Sequence, residues 1–214
     1  MIPTLNAAAT LPATLAALGP VADCIVVDGG SHDTTIGVAT QAGARVLSAP
    51  RGRGRQLAVG IDAATQAWLL LLHADTRLAP GWHQAAHAHI AAGPARAGWF
   101  RFALDSDDPR ARRLERLVAW RCRVLALPYG DQGLLIHRDL LRTAGGMQPL
   151  PLMEDVDLAH RLGRGRLAAI DAAAVTSARK WQHEGWLCRS VRNQFCLALY
   201  LVGVPPHRIV RLYG

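Results

Sequence analysis

The sequence predicts an α/β fold in which a mostly parallel central sheet is covered by helices on both faces. Three observations support this class. Short apolar runs without polar alternation, at 24–27, 45–47 and 68–72, are typical of strands buried on both faces. Segments of helical composition, at about 34–42 and 56–65, separate these runs through short connections. Polar side chains follow the strand ends, where the functional loops of such sheets lie.

The remaining elements follow from the same patterns. Residues 1–6 read as the end of a strand and a loop, and Pro12 marks the opening turn of the next helix. Beyond Pro94 we expect two strands, at 97–104 and 134–136, and three helices, at 111–127, at about 154–163 and at 184–204. No internal repeat or low-complexity linker divides the chain, so we expect one domain.

Composition and charge narrow the class of protein. The 214 residues are 50% hydrophobic and 19% charged, which excludes a disordered chain and allows a substantial core. The net charge is +8, and Lys180 is the single lysine among the 24 basic residues. This excess favours anionic partners such as nucleotide phosphates, acidic lipid or nucleic acid; the alternative is a solvated basic surface.

Cysteine spacing and apolar runs bear on the compartment. The four cysteines show no CxxC spacing, so neither a zinc site nor a disulfide framework is indicated. The longest apolar run, 195–204, has ten residues, whereas roughly 18 to 20 are needed to span a bilayer. No cation precedes Arg45, so the basic start of a signal peptide is missing. We therefore expect a cytoplasmic protein.

Two loops carry glycines that suit anion or ligand binding. In the loop at 28–34, Gly29 and Gly30 follow a buried strand and let the backbone approach a ligand closely. The alternative is an ordinary strand-to-helix turn with capping residues. In the loop at 51–55, arginine and glycine alternate, which suits phosphate binding through guanidinium and backbone donors. No GK[ST] follows, so this is not a P-loop, and a solvated basic loop is the alternative.

Acidic residues lie at two further positions of interest. Asp75 follows the strand at 68–72, and a carboxylate there can hold Mg²⁺ or Mn²⁺ together with a diphosphate, because these cations need few protein ligands. Glu154, Asp155 and Asp157 lie at a helix start, where the helix dipole favours acids in any case. A carboxylate held in a cleft can also remove a proton from an attacking hydroxyl.

In this order the motifs resemble a family 2 glycosyltransferase of the GT-A type. The resemblance is carried by Pro-Thr-Leu-Asn at 3–6, Val-Asp-Gly-Gly-Ser at 27–31 and His-Ala-Asp-Thr at 73–76. Tyr-Gly-Asp-Gln-Gly at 129–133 and Pro-Leu-Met-Glu-Asp-Val-Asp at 151–157 sharpen it. These two stretches are similar to a bacterial subgroup called radical-SAM/selenodomain-associated glycosyltransferases.

The resemblance implies a single GT-A-like domain over 1–214 that transfers a sugar, with inversion, from a nucleoside-diphosphate sugar to a hydroxyl acceptor. It implies a nucleotide-binding half at 1–95, an acceptor and catalytic half at 96–180 and a C-terminal helical segment at 181–214. It also implies Mg²⁺ or Mn²⁺ as the cofactor.

The implied roles fall on specific residues. The donor-binding residues would be Pro3, Thr4, Asn6, Asp28, Gly29, Ser31, Arg53, Arg55 and Asp75. Asp75 matches the last acid of the family's Asp-x-Asp motif, which holds metal and diphosphate. Asp155 matches the catalytic base of inverting members, and Glu154 precedes it as in the family. The acceptor-side residues would be Gly130, Asp131, Gln132 and Trp181.

Two positions depart from the family pattern. His73 stands where the first acid of Asp-x-Asp is expected, so metal binding would depend on Asp75 and the diphosphate. Gly29 stands where many members carry an acid that commonly reads uracil. The base therefore stays open, with a UDP-sugar favoured over a GDP-sugar.

Two other classes of function also suit the composition. The alternative is a non-catalytic sugar-nucleotide-binding protein or a membrane-surface adaptor. Arg189 and Arg192 precede the apolar run at 195–204, so this segment could lie on the inner membrane face and present a lipid-linked acceptor, or pack on the core. A nucleic-acid partner is not expected, because few aromatics lie near the arginines.

Overall fold

The computed structural model describes residues 1–213, apart from the side chains of residues 180 and 213. Its strands form two sheets. The first is parallel, in the order β1 (Ile2–Thr4), β2 (Ile25–Asp28) and β3 (Arg45–Ser48). The second has the order β4-β7-β6-β8-β5 and comprises β4 (Trp68–Leu71), β5 (Thr76–Leu78), β6 (Ala97–Leu104), β7 (Leu134–His137) and β8 (Leu167–Thr176).

The two sheets adjoin at β1 and β4. The Met1 amine donates a 2.7 Å hydrogen bond to the Leu70 carbonyl, and the Leu72 N–H donates one of 3.0 Å to the Met1 carbonyl. This pattern is that of a parallel pair. The loops that follow β1, β2 and β4 therefore leave the sheets at the same edge.

Ten helices surround the sheets in the described part of the chain. They are α1 (Leu11–Leu18), α2 (Thr35–Gln41), α3 (Arg53–Ala63), α4 (Trp82–Ala91), α5 (Pro109–Leu125), α6 (Arg138–Thr143), α7 (Glu154–Leu162), α8 (Arg179–Glu184), α9 (Trp186–Leu201) and α10 (Pro206–Tyr213). Short 3₁₀ turns lie at Gly130–Gln132 and Arg164–Arg166. None of these helices is long and apolar enough to cross a bilayer.

The core lies on both faces of the sheets. Ile25 and Val27 of β2 pack into one buried cluster and Val26 into another, because successive strand residues point to opposite faces. A third, smaller cluster beneath α5 contains Phe102 and Trp181. The α/β class with helices on both faces is thus confirmed.

The sheet is less uniformly parallel than the sequence pattern indicates. In the second sheet only β6 and β8 run parallel, and the other three pairs are antiparallel. Strand β8 was not expected, because its alanine-rich sequence lacks a strong strand pattern. It is a strand because β5 and β6 pair with it on either side, so tertiary context overrides local preference.

Two expected helix boundaries are also corrected. The helix expected from residue 56 begins at Arg53, so most of the basic loop is helical. The helix expected over 184–204 is interrupted at Gly185, whose φ of +87° suits glycine and separates α8 from α9.

Candidate active site

The loop after β2 is shaped by the buried carboxylate of Asp28. Its Oδ1 accepts hydrogen bonds from Ser31 Oγ (2.5 Å) and Thr4 Oγ1 (3.1 Å). Its Oδ2 accepts from the N–H groups of Gly30 (2.9 Å) and Ser31 (2.8 Å). Burial acts to raise the pKa of Asp28, but these hydrogen bonds outweigh it and lower the pKa. Asp28 is therefore an ionised anchor of the loop.

The loop after β1 is joined to the loop after β2. The Asn6 N–H donates to Ser31 Oγ (2.8 Å), and the Asn6 side-chain oxygen accepts from the His32 N–H (2.9 Å). Asn6 has a φ of +50°, a conformation that asparagine tolerates better than most residues. The structure thus brings Thr4, Asn6, Asp28 and Ser31 together, as the expected donor site requires. Pro3 lines a neighbouring apolar cavity that also includes His73.

Gln56 of α3 hydrogen-bonds to the ends of the strands that precede both loops. The sequence motifs did not point to this residue. Its Nε2 donates 2.8 Å hydrogen bonds to the carbonyls of both Thr4 and Val27. A Cβ added at Gly29 would lie 3.1 Å from the Gln56 amide. Gly29 is therefore packed against Gln56, which gives a structural reason for the missing acid at this position.

The start of α3 presents Arg53 to the site. Gly54 packs so closely on the segment before α7 that an added Cβ would lie 2.6 Å from the Leu150 carbonyl oxygen. Arg53 Nε lies 3.0 Å from Glu154 Oε1. Arg55 is exposed and does not line the cavity described below, because residues two apart on a helix face different directions. Of the two arginines expected to bind the donor, the structure places Arg53 and not Arg55 in the lining of this cavity.

Glu154 lies beneath the site. It is 1% exposed, and burial raises its pKa to about 7, with Arg53 opposing the rise and Asp155 adding to it. Its Oε2 accepts no hydrogen bond from the described residues. Glu154 is expected as a catalytic residue, but its contact in the structure is with Arg53, so it is placed to position that guanidinium.

Asp75 and Asp155 line the same cavity, which we call the central cavity and which has a volume of about 100 Å³. They are eighty positions apart in the chain and arrive on the loop after β4 and at the start of α7. The other polar side chains that line the cavity are those of Arg53, His73, Tyr129, Asp131, Thr176, Arg189 and Asn193. The two acidic motifs of the sequence therefore meet at one place.

Gly130 holds Asp155 within this cavity. Its backbone N–H donates a 2.6 Å hydrogen bond to Asp155 Oδ2. A Cβ at position 130 would lie 2.5 Å from His73 Nε2 and 3.1 Å from Asp155 Oδ2. His73, Gly130 and Asp155 are therefore in close packing, with no room for a side chain between them.

Gln132 supports the turn at Gly130–Gln132 and does not face the central cavity. It is 1% exposed, and its Nε2 donates to the Phe100 carbonyl (3.1 Å). Its Oε1 accepts from the Tyr129 N–H (3.1 Å) and from Cys122 Sγ (3.2 Å). The expectation that Gln132 contacts an acceptor is replaced by a structural role, because its amide is used internally.

Asp131 adds a third acid to the central cavity. Burial raises its pKa to about 6; Asp155 and Asp75 add to the rise, while Arg121 and Arg53 oppose it. Its Oδ1 accepts no hydrogen bond from the described residues. The three carboxylates that line this cavity repel one another, and a divalent cation bound there would reduce that repulsion.

A preformed metal cage is absent from the described part of the chain, where no group of three or more His, Cys, Asp or Glu side chains is arranged to hold an ion. Mg²⁺ and Mn²⁺ do not need one, because Mg²⁺-type sites commonly use one or two carboxylates together with substrate phosphates and waters. The carboxylate of Asp75 and the orphaned Asp131 oxygen fit that kind of site.

The far wall of the central cavity comes from α8 and α9. Trp181 is 7% exposed, and the guanidinium of Arg189 lies 4.9 Å from its ring centroid. Arg189 is also buried and lies 2.7 Å from Glu184 Oε1. Arg189 therefore packs against other residues of the protein, as expected for a C-terminal segment that packs on the core. Its place in the same cavity as Asp75 and Asp155 depends on the turn at Gly185, for which the sequence gives no periodic signal.

The fold and this site define a class of protein. A parallel three-stranded sheet that adjoins a mixed five-stranded sheet, with Asp75 on a loop at the strand ends and Asp155 at the start of α7, is the GT-A-like architecture of nucleotide-sugar transferases. Residues 1–146 match the family described as glycosyl transferase family 2, and the chain belongs to this family.

Two groups of curated relatives are similar over part of the chain. An uncharacterised glycosyltransferase of Mycobacterium tuberculosis is 38% identical over 82 residues, which make up 38% of this chain and 38% of that protein. A PGL/p-HBAD biosynthesis glycosyltransferase of Mycobacterium bovis is 37% identical over 89 residues, 36% of this chain and 35% of that protein. The matches thus span little more than a third of these relatives.

Solved structures are similar over nearly the whole chain. Glucosyl-3-phosphoglycerate synthase from Mycobacterium tuberculosis, in complex with Mn²⁺ and UDP-glucose, has a TM-score of 0.64 at 23% identity, covering 95% of this chain and 78% of that one. TarS of S. aureus has a TM-score of 0.66 at 14% identity, covering 99% and 68%. At these identities the likeness establishes the fold.

Proposed function

We propose that the protein is an inverting glycosyltransferase that moves a sugar from a UDP-sugar to a hydroxyl acceptor with the help of Mg²⁺ or Mn²⁺. The main support for this proposal is that Asp75 and Asp155 line the same cavity. Family membership supports sugar transfer in general, and the two acids supply the donor and acceptor sides of that reaction.

The joined loops after β1 and β2 would hold the nucleoside. Asn6 and Ser31 lie at their rim, and Asp28 is fully hydrogen-bonded within the loop. Gly29 has no acidic side chain to contact the base, so hydrogen bonds to the base would come from backbone groups and from Asn6. The choice of UDP is supported by the similar synthase from Mycobacterium tuberculosis, whose structures contain UDP with Mn²⁺ or with Mg²⁺.

Asp75, with Asp131 near it, would hold the metal together with the donor diphosphate. When bound, the metal would neutralise the negative charge that grows on the departing diphosphate. Arg53 and Arg189 line the same cavity and bring two guanidinium groups to that charge. Arg53 is oriented by Glu154 and Arg189 by Glu184, so both are preorganised before a donor binds.

Asp155 would act as the general base. Its Oδ2 is held by the Gly130 N–H, and its Oδ1 accepts from the Val156 N–H (2.8 Å). Each carboxylate oxygen keeps a further lone pair, which can accept the proton of an acceptor hydroxyl as that oxygen attacks the anomeric carbon. Attack from the face opposite the leaving diphosphate inverts the anomeric configuration.

A donor-hydrolysis screen tests this function. UDP-sugars and GDP-sugars are incubated with the enzyme with and without Mn²⁺, and calorimetry measures UDP and GDP binding under the same conditions. We expect Mn²⁺-dependent UDP binding and slow hydrolysis of one UDP-sugar. Binding without any hydrolysis favours the alternative of a sugar-nucleotide-binding protein, and no binding contradicts both.

Three finer assignments belong to the same proposal. The first is the division at 1–95, 96–180 and 181–214, in which each segment contributes residues to the central cavity. Membership of the radical-SAM/selenodomain-associated subgroup is supported by the stretches at 129–133 and 151–157.

The third is contact with an anionic membrane. It is supported by exposed Leu201 and Val202 at the end of α9 and by exposed Arg208 and Arg211 on α10. Flotation with phosphatidylglycerol vesicles tests this contact: co-flotation supports it, and its absence contradicts it.

A further inference from the structure

A second concavity adjoins the central cavity and has a different chemical character. It lies between α5 and α9 and has a volume of about 640 Å³, within the range of small-molecule sites. Its walls include four large apolar side chains that are more than half exposed: Leu117 (64%), Trp120 (54%), Val191 (58%) and Phe195 (55%). We call it the α5–α9 groove.

The α5–α9 groove borders the central cavity and shares four lining residues with it. Tyr129, Asp131, Trp181 and Asn193 line both. The carboxylate of Asp131 thus marks the junction, whereas α5 contributes Leu114, Leu117, Val118, Trp120 and Leu125 along the groove. A ligand that filled both spaces would have a polar end beside the catalytic acids and an apolar end between the two helices.

We infer that the α5–α9 groove binds the apolar tail of an amphipathic acceptor, an alkyl or prenyl chain whose hydroxyl-bearing head reaches Asp155. This inference rests on the proposed glycosyl transfer and names the chemical class of its acceptor. Exposed apolar side chains in a concave site are stabilised when a hydrocarbon chain covers them, because that contact removes apolar surface from water.

The lining shared with the central cavity favours a tailed acceptor over the other partners that an exposed apolar surface can bind. A membrane surface or a second copy of the chain would cover the exposed rims of α5 and α9 without entering the junction at Asp131 and Trp181. A tailed acceptor uses the whole concavity, including the junction.

Binding of n-butyl, n-octyl and n-dodecyl β-glucoside tests the inference. Calorimetry is done with the protein saturated with UDP and Mn²⁺ and with each glucoside below its micelle-forming concentration. For each methylene that enters the groove we expect affinity to rise about fourfold, the equivalent of about 0.8 kcal/mol. Equal affinity for the three glucosides would overturn the inference.

Groove variants locate the binding site. Leu117→Gln and Val191→Asn change exposed wall residues outside the catalytic machinery, so the fold and UDP binding should be unchanged. We expect each to weaken n-dodecyl glucoside binding about tenfold and to flatten the dependence on chain length. Leu187→Gln is the matched control, because Leu187 is 75% exposed on α9 but does not line the groove. An equal loss in Leu187→Gln would contradict the assignment.

The same preparations separate the inference from the proposed function. Loss of UDP binding by the wild-type protein would contradict the proposed function itself. Intact UDP binding without glucoside binding contradicts the groove assignment alone. If no glucoside binds, two results would show that something else covers the groove. A wild-type dimer that dissociates on Val191→Asn would point to a second copy of the chain. Vesicle flotation that is lost in the groove variants would point to a membrane.

Discussion

The backbone N–H of Gly130 lies 2.6 Å from Asp155 Oδ2 and donates a hydrogen bond to it. This contact joins the turn before β7 to the start of α7, two segments that the chain order keeps apart. It holds one carboxylate oxygen, and the Val156 N–H holds the other. The orientation of the proposed base is therefore set by a glycine in another motif.

Substitution Gly130→Ala should impair catalysis with little effect on donor binding. The new Cβ would lie 2.5 Å from His73 Nε2 and 3.1 Å from Asp155 Oδ2, so both side chains must move. Because catalytic geometry is sensitive to shifts of about 1 Å, we expect a fall in transfer rate of roughly 100-fold. Steady-state kinetics and UDP calorimetry measure the two effects.

Gly37→Ala is the control for this change. Gly37 lies within α2, and an added Cβ meets no atom within 4 Å. We expect unchanged transfer and a stabilisation of about 0.5–1 kcal/mol from the better helix former. Normal transfer by Gly130→Ala would show that the contact with Asp155 is dispensable.

Gln56→Leu should destabilise the edge that carries the donor loops. The amide of Gln56 supplies donors to the buried carbonyls of Thr4 and Val27, and leucine leaves both without this partner. We expect the free energy of unfolding to fall by at least about 2 kcal/mol. Urea denaturation measures it, with Gln41→Leu at the exposed end of α2 as the control. Equal stability of the two variants would contradict the role of Gln56.

Glu154 should make stability depend on pH in a defined direction. Its pKa is raised from 4.5 to about 7 in the folded protein, mainly by burial. Between these values the folded state binds more protons than the unfolded state, so stability falls as pH rises and the loss is complete above about 7. Glutamine mimics the neutral form of the side chain.

The comparison of wild type with Glu154→Gln isolates this group. Relative to the variant, the wild type should lose stability between pH 4.5 and 7, with a slope of up to about 1.4 kcal/mol per pH unit. Urea denaturation at a series of pH values measures the difference. A difference that does not change with pH would mean that the pKa of Glu154 is not raised.

Metal-dependent donor binding should require Asp75 and should weaken in acid. Asp75→Asn removes the charge of the main proposed ligand, so we expect the Mn²⁺-dependent part of UDP affinity to be lost. In the wild type, protonation of Asp131, whose pKa is raised to about 6, should weaken Mn²⁺ binding as pH falls below that value. Calorimetry with UDP at several pH values, with and without Mn²⁺, measures both effects. A variant that keeps full Mn²⁺ dependence would exclude Asp75 as the ligand.

Much of the fold was predictable because strands and loops leave local signals. The expected strand at 97–104 has the observed bounds of β6. The polar loops after the first strands were found from the rule that parallel strands present their carboxyl ends at one edge. Strand β8 was missed because its state depends on its neighbours β5 and β6.

The site was predictable where a motif is local and not where it is assembled from distant segments. Asp155 and Asp157 look alike in sequence, yet Asp155 lines the central cavity while Asp157 pairs with Arg161 (2.7 Å). Gln56 and Arg189 belong to no motif. Their contacts exist only once α3 packs under the loops and α9 turns back on Trp181.

The transfer rate of Asp155→Asn tests the central claim most directly. That claim gives Asp75 the role of metal and donor ligand and Asp155, in the same cavity, the role of general base. Asparagine is nearly isosteric but cannot accept the proton, so we expect a loss of at least about 100-fold in kcat. Mn²⁺-dependent UDP binding should be retained, and Asp157→Asn on the same helix should keep its activity. Transfer at the wild-type rate by a folded Asp155→Asn enzyme would contradict the account.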